Sequence, residues 1–272
     1  MALVLSFSSQ VIAGHIGHSA SVFALETLGH TVWQVPTCLL AYPPNLGRPA
    51  AETFSPETLD TLVASLDDKG WLGSVDAIFS GYLAAADQAN GVETTLERVR
   101  LANATALFAC DPIMGDEPGG FYVGEEIATA QCRLAARADL LFPNRFEYEV
   151  LSGKGGLPAS PPATLLVTSA QDPAAPHEIA PICRNRLIHK GEARTYETPL
   201  LDGVPHGTGD LLAGLTLGHI LNGQSADQAA ANAIGSVFEV AQASQGETFL
   251  SLIASRNVLR APARLPDEGE YS

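Results

Sequence analysis

Short apolar runs alternate with amphipathic stretches along the chain, and this alternation constrains the fold more than any other feature. Residues 2–6 (ALVLS), 31–35, 76–80 (DAIFS), 105–110, 140–142 and 164–168 (TLLVT) read as strands. Helical patterns lie between them, over 19–28 (closed by Gly29), 87–103 and 125–136. Ser55-Pro56-Glu57-Thr58 opens another helix, with serine at the N-cap, proline at the first helical position and an acid in the first turn. Residues 186–189 and 195–197 form a strand pair around Lys190-Gly191-Glu192, and long helices over 209–221, 226–243 and 249–257 close the chain. Strands and helices taking turns in this way predict an α/β fold, a central, mostly parallel sheet with helices on both faces. The Pro- and Gly-rich segments 43–49 and 154–162 read as local loops and the acidic tail after 262 as frayed, so residues 1–272 are expected to form one domain.

Hydrophobic residues make up 46% of the 272 and charged residues 17%, enough apolar material for a large core. The 15 Lys+Arg against 30 Asp+Glu leave a formal net charge of -15, which repels nucleic acid and anionic lipid. An anionic ligand then has to be held locally, by backbone N–H groups and metal ions. Cys38, Cys110, Cys132 and Cys183 show neither C-x-x-C nor zinc spacing, and they read as reduced thiols of a cytosolic protein. The apolar N-terminus has no basic region before it and reads as a first strand, not as a signal peptide or membrane span. The expected location is the cytoplasm.

In open α/β sheets, ligands sit beyond the C-terminal ends of the strands. Unusual clusters follow the expected strands at 9–19, Thr37, 80–83, 111–115, 143–147, 168–169 and 207–210. The sharpest is His206-Gly207-Thr208-Gly209-Asp210-Leu211-Leu212-Ala213-Gly214, where two glycines open a helix with a small, apolar body. Glycine lets successive N–H groups turn toward one point, and the helix N-terminus adds positive potential there. Asp210 falls in the first turn, beside this anion hole, where a carboxylate can take a proton from an attacking hydroxyl. The same residues also suit a plain helix cap, with the acid placed for the dipole. The lack of a Walker A pattern to hold nucleotide elsewhere favours the anion site.

Gly207-Thr208-Gly209-Asp210 resembles the phosphate-binding signature of the ribokinase-like kinases. The stretch Ser9-Gln10-Val11-Ile12-Ala13-Gly14-His15-Ile16-Gly17-His18-Ser19-Ala20 resembles the opening of pyridoxal kinases, where a strand ends in serine before a Val-rich, Gly-His, Gly-x-Ser turn. Thr37, Ser80-Gly81-Tyr82-Leu83, Asp111-Pro112-Ile113-Met114-Gly115, Pro143-Asn144 with Glu147, and Thr168-Ser169 continue the match in order, over essentially the whole chain. The resemblance implies a ribokinase-like fold with a small lid edge from 37–49, and transfer of the ATP γ-phosphate to the hydroxymethyl group of a vitamin B6 compound. It implies Asp210 as general base and Gly207, Thr208 and Gly209 as the anion hole. Ser9, Thr37 and Tyr82 would meet the vitamer, Asp111, Asn144, Thr168 and Ser169 the ATP, and Asp111 with Glu147 the Mg²⁺. A monovalent cation such as K⁺ and a homodimer are further expectations carried over from relatives. Residues 114–120 (MGDEPGG) look like a flap whose closure excludes water.

Each residue also has a plainer role. Ser9 and Thr37 suit ordinary turns, Tyr82 suits packing at the sheet edge, and Asn144-x-x-Glu147 has capping-box spacing. The chain departs from the family at Ala13, where tyrosine is usual, at His18, where asparagine is usual, and in the Pro-rich loop 41–44. These changes touch the substrate side and leave vitamer preference open; His15 and His18 receive no role. Two alternatives stand beside a pyridoxal kinase: a hydroxymethylpyrimidine kinase of thiamin synthesis, and a B6-binding homologue without catalysis. A dinucleotide-binding dehydrogenase is disfavoured, because Gly14-His15-Ile16-Gly17 lacks the third glycine of that fingerprint.

Overall fold

Val4 and Leu5 are neighbours in the first strand, β1 (Leu3–Val11), yet they enter different cores on opposite faces of the sheet. Side chains alternate across a strand, so one that is apolar at both parities must be covered on both sides. The connections supply the cover. The computed structural model describes residues 1–153, 164–170 and 181–269. After β1 come α1 (His18–Thr27), β2 (Thr31–Leu40), β3 (Ala51–Thr53), α2 (Pro56–Asp67), β4 (Ala77–Ser80), α3 (Gln88–Ala102) and β5 (Leu107–Cys110). A hairpin of β6 (Gly115–Asp116) and β7 (Gly120–Phe121) leads to α4 (Glu125–Ala135), β8 (Leu140–Leu141), α5 (Arg145–Gly153) and β9 (Thr164–Val167). Then follow β10 (Ile182–His189), β11 (Glu192–Pro199), α6 (Thr208–Leu221), α7 (Ala226–Ala243) and β12 (Asp267–Gly269).

The described residues place ten strands in one sheet, in the order β12-β11-β10-β9-β8-β5-β4-β1-β2-β3. Pairings from β2 through β1, β4, β5 and β8 to β9 are parallel, and β3, β10, β11 and β12 join antiparallel. Helices α1, α6 and α7 pack on one face, and α2, α3 and α4 on the other. β1 has β2 on one side and β4 on the other. The order of winding therefore reverses at β1, which opens a crevice beyond its C-terminal end. The edge expected over 37–49 lies elsewhere: Cys38–Leu40 end β2, and the antiparallel edge strand that pairs with them is β3, at 51–53.

β1 runs well past the apolar stretch 2–6 because its serines are buried with partners. Ser6 Oγ lies 3.0 Å from His18 Nε2, and Ser8 Oγ accepts the Tyr82 N–H at 3.3 Å. Apolar periodicity cannot register a strand whose polar side chains are satisfied inside the protein. Pro36 sits within β2 opposite Ser8; β3 pairs only with Cys38–Leu40, so the side of β2 away from β1 is open at Pro36 and a missing N–H costs little. The N-terminus of α2 forms as its sequence dictates, with Ser55 Oγ accepting the Thr58 N–H at 3.2 Å.

Two further expectations fail. Residues 249–257 form successive turns instead of a helix. Leu250, Leu252 and Leu259 are buried at uneven spacing, and the local bonds change span, from Ser255 N–H to the Ser251 carbonyl and from Val258 N–H to the Ser255 carbonyl. Burial of those leucines decides the backbone there over helical propensity. Residues 263–269 of the tail are anchored: Glu239 Oε1 accepts the Arg264 N–H at 3.0 Å, and β12 pairs with Thr195–Glu197 of β11. Its acidic composition hid a short edge strand. The expected loop over 154–162 lies outside the described residues.

Candidate active site

Two glycines fold the loop after β1 onto the start of α6. Gly17 has φ 56°, and a Cβ there would overlap the carbonyl and hydroxyl oxygens of Ser9. Gly207 has φ 110°, and a Cβ there would overlap the His15 carbonyl. Both positions combine a left-handed backbone with a close approach, which only glycine tolerates. Loop 14–17 is thereby wedged between the end of β1 and the turn before α6, and Ser9, Gly17, Gly207 and Asp210 meet in the crevice at the switch point. Helix α6 is held in place by close packing: a Cβ on Gly214 would come within 2.7 Å of the Ser21 carbonyl of α1.

Among the described residues no side chain caps α6; Gly207 is its N-cap, and Thr208, Gly209 and Asp210 form its first turn. The leading amides of a helix have no partner within it. Gly209 is exposed and Thr208 half-buried, so these amides open to solvent. Asp210 as a whole is half-buried, but its Oδ1 is shielded and has no hydrogen-bond partner. Burial raises the Asp210 carboxyl to about 6, and the peptide N–H groups of Gly17 and of Asp210 itself keep it from rising further.

Asp111, at the end of β5, is 6% exposed. Burial, then the charges of Glu147 and Asp210, hold its carboxyl well above the usual range. Glu147 is 2% exposed and raised to about 7 by burial, against the lowering effect of peptide N–H groups at Asn144, Met114 and Gly115. Its Oε1 accepts the Met114 N–H and its Oε2 the Asn144 N–H, each at 2.9 Å, while Asn144 Oδ1 accepts the Glu147 N–H at 2.9 Å. The capping box expected from Asn-x-x-Glu is therefore real, and it is built into the acidic pocket. Thr168 N–H donates to the Pro143 carbonyl at 2.9 Å, which brings the end of β9 beside Asn144; exposed Ser169 follows with φ 50°.

Among the described residues, no three His, Cys, Asp or Glu side chains gather as a metal cage. Asp111 and Glu147 still fit a divalent cation, because two buried carboxylates near enough to raise one another are relieved by positive charge. A sparse protein contribution suits Mg²⁺, which keeps several waters.

Thr37 and Tyr82 are brought together, but by their own contact: Thr37 Oγ1 donates to the Tyr82 carbonyl at 2.8 Å. Thr37 is fully buried and Tyr82 half-buried. Sequence reasoning missed Gln88, which fastens this corner. Its Oε1 accepts the Ala84 N–H at 2.9 Å, and its Nε2 donates to the Thr37 carbonyl at 2.9 Å and to the Phe54 carbonyl at 2.7 Å. A glutamine in a helical stretch gives no outward sign of such work. Tyr122 was also missed. Its side chain is 55% exposed overall, yet burial of the hydroxyl, reinforced by the carboxylates of Glu147, Asp111, Asp116 and Asp210, keeps that group protonated. A groove of about 690 Å³ lined by Leu62, Leu66, Trp33 and Trp71 lies along β2 and contains none of these groups.

A mostly parallel sheet with a bare helix N-terminus and an acid at its switch point is the ribokinase-like architecture. The chain is 34% identical to pyridoxal kinase PdxY of Rubrobacter xylanophilus, over 95% of this chain and 94% of that protein, and 31% identical to pyridoxal kinase PdxY of Corynebacterium diphtheriae, over 87% of each. It belongs to the pyridoxal kinase family. Its fold matches that of pyridoxal kinase from Leishmania donovani in complex with ADP and pyridoxamine, with a TM-score of 0.86 at 23% identity, covering 98% of this chain and 99% of that one. No family model matches the chain.

Proposed function

We propose that the chain transfers the γ-phosphate of ATP to the 5′-hydroxymethyl group of pyridoxal, in salvage of vitamin B6. The observation that carries this reading is the uncapped N-terminus of α6 with the shielded carboxylate of Asp210 in its first turn. The substrate oxygen attacks the γ-phosphorus, the bond to the bridging oxygen of ADP breaks, and Asp210 Oδ1 receives the hydroxyl proton. The amides of Gly207, Thr208 and Gly209 take up charge on the phosphoryl oxygens as it develops. Asp111, Asn144, Thr168 and Ser169 line the nucleotide side. Asp111 directly and Glu147 through water would hold Mg²⁺, which supplies charge neutralisation at the phosphates. Ser9, Thr37 and Tyr82 line the vitamer side. The Thr37 hydroxyl donates its hydrogen bond to the Tyr82 carbonyl and offers the ring only an acceptor and packing.

The same reading takes residues 1–272 as one domain, working in the cytoplasm as a homodimer, with K⁺ as the monovalent ion if one is required. Among the described residues, no helix is long and apolar enough to cross a membrane. Release of ADP with pyridoxal, measured beside hydroxymethylpyrimidine, tests the assignment. Turnover of pyridoxal alone supports it; turnover of hydroxymethylpyrimidine alone replaces it with a thiamin-pathway kinase.

Two further outcomes are expected. Ser9→Ala should raise KM for pyridoxal about three- to tenfold with kcat nearly unchanged, because ring binding is shared by ground and transition states; an unchanged KM removes Ser9 from the site. The profile of kcat/KM against pH should fall on its acid side with a midpoint near 6, where the raised carboxyl of Asp210 takes up a proton. An acid limb near the ordinary aspartate value would contradict the burial of that group.

A further inference from the structure

Four consecutive residues at the cap and first turn of α5 all hold the β6–β7 hairpin. Asn144 Nδ2 donates to the Gly115 carbonyl at 2.7 Å. The Arg145 guanidinium lies 3.8 Å from the Glu117 carboxylate. Phe146 meets Phe121 edge to face, with ring centres 4.9 Å apart, and its ring fills the space that a side chain on Gly115 would need. Glu147 accepts the Met114 N–H at the base of the hairpin. The hairpin itself is a separate two-stranded sheet, not joined to the main one among the described residues. Among the described residues, this one turn of helix is its main anchor.

Asn144 and Glu147 face the pocket, whereas Phe146 packs on the flap and Arg145 is shared between Glu149, 2.9 Å away on its own helix, and Glu117 on the flap. Phe121 is 49% exposed and Tyr122, beside it, 55%, and the Tyr122 N–H donates to the Met114 carbonyl at 3.1 Å, which closes the base of the hairpin. We infer that Phe121, Phe146 and the Glu117–Arg145 pair are positioning residues that latch the flap down over the phosphoryl-transfer site, so that water is kept from the γ-phosphate until the vitamer hydroxyl is in place. This use of the latch rests on the kinase reading above. The chemistry favours it because a γ-phosphate held against an anion hole is open to hydrolysis unless the site is closed.

The test uses the full chain and two readouts. Hydrogen exchange of nucleotide-free protein reads the latch alone. Phe121→Ala and Phe146→Ala should speed exchange at residues 115–122 about tenfold, as expected for loss of an aromatic contact with its packing, while β1 and α6 stay protected. The ratio of ADP released without pyridoxal to ADP released with it reads the consequence, and it should rise about three- to tenfold in both variants. Glu117→Arg should raise it about two- to threefold, the modest effect of a partly exposed pair; Arg145 is kept because it also bonds Glu149 at 2.9 Å. Phe121 is half-exposed, so its variant is expected to fold even where Phe146→Ala does not. Unchanged exchange at 115–122 in Phe121→Ala overturns the latch, and so does faster exchange with an unchanged ADP ratio. A wild-type protein that releases no ADP with pyridoxal overturns the kinase reading, and the exchange result still decides whether the flap is latched.

Discussion

Asp210→Asn is expected to lower kcat by about 10²–10⁴, the span that removal of a general base produces, while ATP binds as before. Asparagine keeps the shape and the capping ability of aspartate, so a residue that merely caps α6 would survive the change. The stability of the variant separates the two roles further. The Asp210 carboxyl is raised above its unfolded value, so the folded protein binds the proton more tightly than the unfolded chain. Its ionised form therefore costs stability, fully above about pH 6, and the cost fades as pH falls toward the unfolded pKa near 4. Replacing it with a neutral amide removes that cost, so the Tm at pH 7 should hold or rise while turnover collapses. Full turnover in the variant, or a lower Tm with normal kcat, would make Asp210 a structural residue.

Gly207→Ala should have the other large effect, and through geometry. The position is left-handed, with φ 110°, and the new Cβ would overlap the His15 carbonyl, a backbone atom that cannot swing aside. Strain and overpacking together should cost about 2–4 kcal/mol of stability. The larger consequence is at the site. The turn that aims the first amides of α6 would have to shift, and loop 14–17 with it, which would pull the Gly17 N–H from Asp210. Loss of oxyanion-type donors costs about 10²–10³ in rate. The variant should thus lose at least that in kcat/KM for ATP while thermal unfolding remains cooperative. Near-normal kinetics would mean that the turn before α6 is not the phosphate site.

How much of this was legible beforehand depends on what kind of interaction fixes each part. The parallel sheet was legible because strand and helix periods are written in the apolar pattern, and α7 was placed at 226–243 as found. The glycine turn that opens α6 was legible because two glycines stand directly before a small, apolar helical stretch. Glu147 was legible twice over, as a cap and as a pocket acid, and the two roles prove to be one arrangement. What stayed hidden was held by contacts between distant segments. The serine-rich half of β1 is buried by partners at residues 18 and 82. Gln88 ties Thr37 of β2 to Phe54 and Ala84 through its amide, and the 249–257 segment follows the placement of its leucines over the core. The edge strand β12 exists because β11 offers it a ladder.

The most direct measurement is the response of the backbone amides of Thr208, Gly209 and Asp210, read by NMR, when a non-hydrolysable ATP analogue and Mg²⁺ are added to the labelled chain. The account predicts that these amides shift first and furthest along α6, together with Gly17, which faces the same carboxylate. Nucleotide binding that leaves all of them unmoved, while another segment responds, would contradict it.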